Sequence, residues 1–363
     1  MSLRSIQLAA VVTLLFTMGA GCISIGGGTT TAAPMGMFRS SDKAETWTQI
    51  NSYPTSAGVK SLSGVQVSRF FFDPSDQNAL YMGTRGQGLY YSYDKGDTWR
   101  FADSLGQRFI TTLAVDPQNK CVIYAADQTL HMFKSTDCSR SWTQIYSDVR
   151  SDVWVVALSV DTKNRRIYAA LRSGELMMSA DAGASWQLIH RFRTQLSYMV
   201  VDPKNPDRVY VASPTGGMAR SDDAGETWIS LAEGLDKYND AKTFYRMILH
   251  PTEADTLYWV SKYGILKSED AGETWENLNV ITAPGSVTVY AFALNPKNPN
   301  EIYYVGSVIG NGVARSSLYK TLDGGNKWLS KKVPSSALPV YMAVNPADGN
   351  QVYLGYMAVP KAQ

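Results

Sequence analysis

The sequence predicts an all-β chain folded as a seven-bladed β-propeller, and three observations predict it. One octamer recurs seven times, at residues 40–47, 92–99, 135–142, 179–186, 221–228, 268–275 and 321–328. A second phrase, a turn signal followed seven or eight residues later by a tyrosine, recurs seven times in phase with it. The chain starts midway through one repeat and stops midway through another, so that its end and beginning add up to one whole repeat.

In chain order the first element is an export signal. Arg4 precedes an apolar run over residues 6–18 that ends in Gly19, Ala20, Gly21 and Cys22. The run of 13 residues falls short of the roughly 20 that a spanning helix needs. Small residues just before a cysteine resemble the bacterial lipoprotein signal, with Gly19 standing where that family usually has leucine. The resemblance implies a lipidated Cys22 and a protein held outside the cytoplasm on a membrane. The expected organisation is therefore a signal over 1–22, a flexible Gly/Thr/Ala-rich tether over 23–35 and one propeller over 36–363.

The octamer reads S/T-x-D-x-G-x-T/S-W. Its aspartates, Asp42, Asp94, Asp137, Asp181, Asp223, Asp270 and Asp323, are 52, 43, 44, 42, 47 and 53 residues apart, which suits blades of four strands. The second phrase begins at Asp73, Asp116, Asp161, Asp202, His250, Asn295 and Asn345, six of them followed by proline, and leads to Tyr81, Tyr124, Tyr168, Tyr210, Tyr258, Tyr303 and Tyr353. These mark an inner strand A ending at the turn, a strand B carrying the tyrosine, a strand C leading into the octamer and a strand D starting at its tryptophan. The C-terminal A and B strands, from about residue 340 to 357, are expected to pair with the N-terminal C and D strands and close the ring without a free edge.

The octamers resemble the Asp-box, or bacterial neuraminidase repeat. That repeat occurs in sialidases, xyloglucan-cleaving hydrolases, sortilin-type receptors and photosystem II assembly factors, so it implies the fold and leaves the function open. The phrase D-P-x-N-P-x-x-V-Y from residue 202 to 210 is closest to the sortilin and xyloglucanase type. Physically the octamer is a turn: the carboxylate accepts backbone N–H groups and a glycine takes the left-handed conformation. Ala44 and Ser139 stand where that glycine is missing, at an expected cost of about 1–2 kcal/mol each. Cys121, at the start of one strand B, and Cys138, in the C–D turn of the same blade, are a candidate disulfide.

A–B and C–D turns share one face of such a disc, and B–C turns and blade connectors share the other. The first face is uniform in length. On the second, the tyrosine-to-aspartate interval of 12 or 13 residues rises to 20 between Tyr303 and Asp323, and residues 305–311 read as an inserted loop. Connectors 47–73 and 228–250 are also long. Variable loops on a rigid scaffold place the candidate binding surface there. Its candidate residues are Arg85, Arg172 and Lys262 at B–C turns, Arg108, Arg191, Arg193, Lys237 and Tyr238 in connectors, and Arg69, Tyr198, Arg246 and Tyr341 near the starts of inner strands. A basic, aromatic channel mouth suits carboxylates, phosphates or an acidic protein loop.

A net charge of +2 without charge blocks gives no reason for a nucleic-acid partner. His131, His190 and His250 lie far apart and lack metal-site spacing, and no cofactor is expected. An Arg-Ile-Pro motif, which sialidases carry before their first box, does not occur, although Arg69 and Arg246 imitate part of an arginine cluster. Asp127, Asp152, Asp236 and Asp240 reach the variable face without forming a recognisable glycosidase pair. The expected role is a protein- or peptide-binding or assembly scaffold, with a glycan-active protein or carbohydrate-binding module as the alternative.

Overall fold

The computed structural model describes residues 33–360; Cys22 and the rest of the expected signal lie outside them. Seven four-stranded antiparallel sheets make seven blades, with one further two-stranded hairpin. Blade 1 consists of Val67–Phe72, Leu80–Thr84, Leu89–Ser92 and Arg100–Phe101, in the order A, B, C, D. Blades 2 to 6 follow over 110–147, 155–191, 198–230, 244–277 and 288–332. Blade 7 takes strands A and B from Leu338–Val344 and Val352–Met357 and strands C and D from Gly36–Ser40 and Thr48–Gln49. Five register pairs, from Gly36↔Tyr356 to Ser40↔Val352, join the two ends of the chain.

Seven apolar clusters form the core, each between two neighbouring blades. Tyr81 and Leu89 of blade 1 meet Ile110, Leu113 and Ile123 of blade 2, and Phe38 and Met342 of blade 7 meet Tyr303 and Leu318 of blade 6. The seven repeat tyrosines are all buried within these clusters. Ala33 and Met35, in the segment expected to be a tether, already pack on the blade 6–blade 7 cluster, and the Met35 N–H donates to Ser63 O at 2.7 Å.

Local chemistry explains the repeats. In blade 1 the Asp94 carboxylate accepts the Thr98 N–H at 2.9 Å and the hydroxyls of Ser92 and Thr98, while Ser92 Oγ accepts the Gly96 N–H at 2.8 Å. The residue at the glycine position is left-handed in the octamers, Gly96 at φ 91° and, without a glycine, Ala44 and Ser139 at 66°. The residue before it is left-handed too, including Lys43, Lys95, Cys138, Ala182, Ala224 and Ala271, a requirement the octamer's residue types do not announce. Backbone bonds hold the octamer to the A–B turn of its own blade, as from the Lys95 N–H to Asn78 O at 2.9 Å. In those A–B turns the Asp73 carboxylate accepts the N–H groups of Ser75 and Asp76, and in blade 5 the His250 ring nitrogen takes the same place toward Glu253 at 2.9 Å.

One expectation about connections needs correction. Residues 305–310 are strand rather than loop and Asn311 belongs to a tight turn: Asn298–Gly310 and Val313–Thr321 pair through to Gly310↔Val313 around Asn311 and Gly312. The long 47–73 connector contains the hairpin Ser52–Thr55 and Gly58–Ser61, and the 228–250 connector a single 3-10 turn at Glu233–Leu235. Cys121 and Cys138 lie in disulfide contact between the start of strand B and the octamer turn of blade 2.

Candidate functional site

The A strands surround a channel of about 590 Å³. Most begin with a bulge on the B–C side of the disc. In blade 1 Val67 pairs with Thr84 and Arg69 with Gly83, leaving Ser68 unmatched; Val156, Tyr245 and Val340 are skipped likewise in blades 3, 5 and 7. A bulge breaks the alternation of side chains and re-aims two neighbours. Ser68 with Arg69, Tyr245 with Arg246, and Val340 with Tyr341 line the same channel.

The channel is cationic and aromatic. Arg246 lies over the Tyr341 ring with its guanidinium carbon 3.9 Å from the centroid, and its Nη2 donates to Met342 O at 3.2 Å. Arg69 lies 5.9 Å over the Tyr198 ring. At the mouth Arg172 covers Trp154 at 4.5 Å and Arg85 covers Phe109 at 5.5 Å. None of these four arginines has a carboxylate within ion-pair distance among the described residues, and no Asp or Glu lines the channel. Burial pulls the Arg69 guanidinium down from its ordinary value; the Tyr198 and Tyr341 rings oppose this and the Arg246 charge adds to it. Burial likewise raises the phenols of Tyr198, Tyr245 and Tyr290. Guanidiniums stay charged at any working pH, so an entering anion meets uncompensated positive charge in a confined, partly apolar space.

The other candidate residues go elsewhere. Arg191 bonds Glu175 at 2.8 Å, Arg108 bonds Asp127 at 3.0 Å and Lys262 bonds Asp240 at 3.0 Å, each outside the channel. Lys237 lies over Tyr238, and Arg193 is exposed in its connector. Of the four carboxylates considered for glycosidase chemistry, Asp127, Asp236 and Asp240 are in ion pairs and Asp152 is exposed. Sequence reasoning missed Phe109, Trp154, Phe244, Tyr245 and Tyr290, which supply much of the ring surface at the channel and its mouth. Their signal was present as an aromatic residue just before, or among the first three residues of, an inner strand. Among the described residues no group of three His, Cys, Asp or Glu side chains is placed to hold a metal.

The family model described as sortilin, neurotensin receptor 3, matches residues 36–173. The xyloglucanase Xgh74A of Acetivibrio thermocellus is 31% identical over 247 residues, 54% of this chain and 29% of that protein. The chain spans between 10% and 29% of the length of the curated relatives it matches. In fold it is similar to the GH74 xyloglucanase from Xanthomonas campestris, with a TM-score of 0.66, 18% identity and coverage of 81% of this chain and 51% of that one. It is similar also to YCF48 bound to D1 peptide, with a TM-score of 0.61, 17% identity and coverage of 82% and 94%. The chain is a seven-bladed β-propeller whose likenesses lie with sortilin-type, xyloglucanase and YCF48 propellers.

Proposed function

We propose that this chain is an exported propeller, anchored through a lipidated Cys22, that binds an acidic peptide or protein segment at the channel mouth opposite its Asp-box turns and serves as a binding or assembly scaffold. The observation that carries the reading is the set of Arg69, Arg85, Arg172 and Arg246, each over an aromatic ring and each without a carboxylate partner among the described residues. Stacking holds a guanidinium in place while leaving N–H groups free for a carboxylate. The likeness to YCF48 in its complex with D1 peptide is a supporting precedent for a peptide ligand on a propeller of this kind.

A glycan-active role is the second reading, favoured by the likeness to xyloglucanases and by the rings at the channel mouth. Hydrolysis would require two carboxylates across the scissile bond, and the channel lining offers none. One experiment separates the two. Fluorescence anisotropy with Asp/Glu-rich peptides is expected to give binding that the Arg69→Gln, Arg246→Gln double variant weakens tenfold or more, since a hydrogen bond to a charged group contributes about 1.5–3 kcal/mol. Equal affinity for the matching Asn/Gln peptides would sink the acidic-ligand reading. Release of reducing sugar from xyloglucan would establish the glycan one.

A further inference from the structure

The B–C hairpin of blade 6 projects beyond the sheet that carries it. Its ladder continues to Gly310↔Val313, whereas strand D pairs no further than Ser317↔Lys332. The stretches 308–310 and 313–316 therefore form a free two-stranded ribbon, turned by Asn311 and Gly312 at φ 53° and 71°. Val308 stands opposite Arg315 and Gly310 opposite Val313, so Val308, Val313 and Arg315 share one face of the ribbon and Ile309 lies on the other. Val308, Ile309 and Val313 are 51%, 41% and 51% exposed.

The root of the ribbon adjoins the place where the described chain begins. Ser335 Oγ donates to Pro34 O at 2.6 Å, and an open groove of about 610 Å³ runs between residues 314–317 and 330–336. Lys331 in this groove is held by Glu45 at 2.6 Å, while Arg315 and Lys332 are exposed. Only 11 residues separate Cys22 from Pro34, a span of at most about 40 Å.

We propose that this ribbon is a membrane-contact element: its apolar tip enters the interfacial layer of an anionic bilayer, and Arg315 and Lys332 engage lipid phosphates. The inference rests on the anchored part of the reading above. Apolar side chains on both faces of a ribbon suit a medium that surrounds it, whereas a flat protein surface would cover one face and leave the other wet. Basic side chains beside and below the apolar ones, Arg315 level with Val308 and Lys332 at the root, fall where a negatively charged headgroup layer would lie. Because the channel mouth opens on the same side of the disc, the acidic segment it receives would arrive from close to the membrane.

The test uses the full chain with vesicles of phosphatidylcholine, with and without phosphatidylglycerol. A polarity-sensitive fluorophore is placed at Ile309→Cys and, for reference on the opposite face, at Glu226→Cys. With the anionic vesicles the 309 emission is expected to shift to the blue and to be quenched by lipid-borne quenchers, the 226 emission to stay unchanged, and the Arg315→Glu, Lys332→Glu pair to lose the shift. Vesicle-bound protein whose 309 label stays as wet as the 226 label overturns the ribbon and leaves the anchor. A Cys22→Ser chain that remains on vesicles with a shifted 309 label removes the anchor and leaves the ribbon. A shift that needs a second protein and not lipid would make the ribbon a protein-docking element and end this proposal.

Discussion

At the octamer face, Arg39 reaches Asp97 at 2.8 Å, Lys120 reaches Asp76 at 2.9 Å, Arg166 reaches Asp207 at 3.0 Å and Arg220 reaches Glu273 at 3.1 Å, each pair joining neighbouring blades. At the channel, Arg69, Arg85, Arg172 and Arg246 meet tyrosine, phenylalanine and tryptophan rings instead. Arginine thus does two jobs in one molecule. Neutralised, it links blades, with little gain per exposed pair; left without a counter-charge, it keeps its field and its N–H groups for a ligand. The difference teaches that the two faces can be altered separately.

The largest effect should come from crossing the two kinds of substitution. Arg246→Gln is expected to cost the acidic-peptide complex about tenfold in affinity while the thermal midpoint stays put, because its stacking partner Tyr341 remains packed on Phe70. Asp94→Ala is expected to do the reverse, lowering stability by about 1–3 kcal/mol through the lost acceptor of the Thr98 N–H with peptide affinity unchanged. Denaturant titration and anisotropy on both variants check the pair. If Asp94→Ala weakened binding selectively, the division of labour between the faces would fail.

A smaller effect follows from the titration of the octamers. Hydrogen bonds from Ser40 and Thr46 hold the Asp42 carboxyl at about 2, and those from Ser141 and its backbone, with Ser135, hold Asp137 at about 2, against an ordinary 3.8. A carboxyl lowered by folding stabilises the native state above its unfolded value and loses that contribution as pH falls through its folded value. The fold should therefore keep its stability down to about pH 4 and lose it progressively between 4 and 2, as circular dichroism across that range would show. Replacing Asp42 and Asp137 together by Asn should flatten the slope in this window, and an unaltered slope would count against the octamer as its origin.

Much of this was legible in the sequence, for a physical reason. The octamer and the A–B turn are local structures whose side chains bond their own backbone, so composition and spacing announce them. That is why the blade count, the ring closure and the place of the seven strand B tyrosines could be read directly. The bulges at Ser68, Tyr245 and Val340 have no such signature, since they arise from how each strand A meets its partner. Arg69 and Arg246 lie beside such bulges and line the channel, while Arg191 and Lys262, at a strand D end and a B–C turn, pair with Glu175 and Asp240. The blade 6 ribbon did carry a signal, Asn311 followed by Gly312, a pair that favours a two-residue hairpin. It reads as loop only when excess length is taken as loose chain.

The smallest effect concerns the two octamers that lack the usual glycine. Ser139 and Ala44 both sit at φ 66°, where an L-residue costs about 1–2 kcal/mol. A glycine there relieves that strain but loses about 0.5–1 kcal/mol to the greater freedom of the unfolded chain. For Ser139→Gly the balance is a gain of between about 0 and 1.5 kcal/mol, seen as a rise of at most a few degrees in the thermal midpoint. Ala44→Gly should gain less, because the Ala44 methyl is buried in the blade 6–blade 7 cluster and its removal exposes apolar surface. Equal shifts for the two would mean that the methyl contributes nothing to the seam where the chain closes its ring.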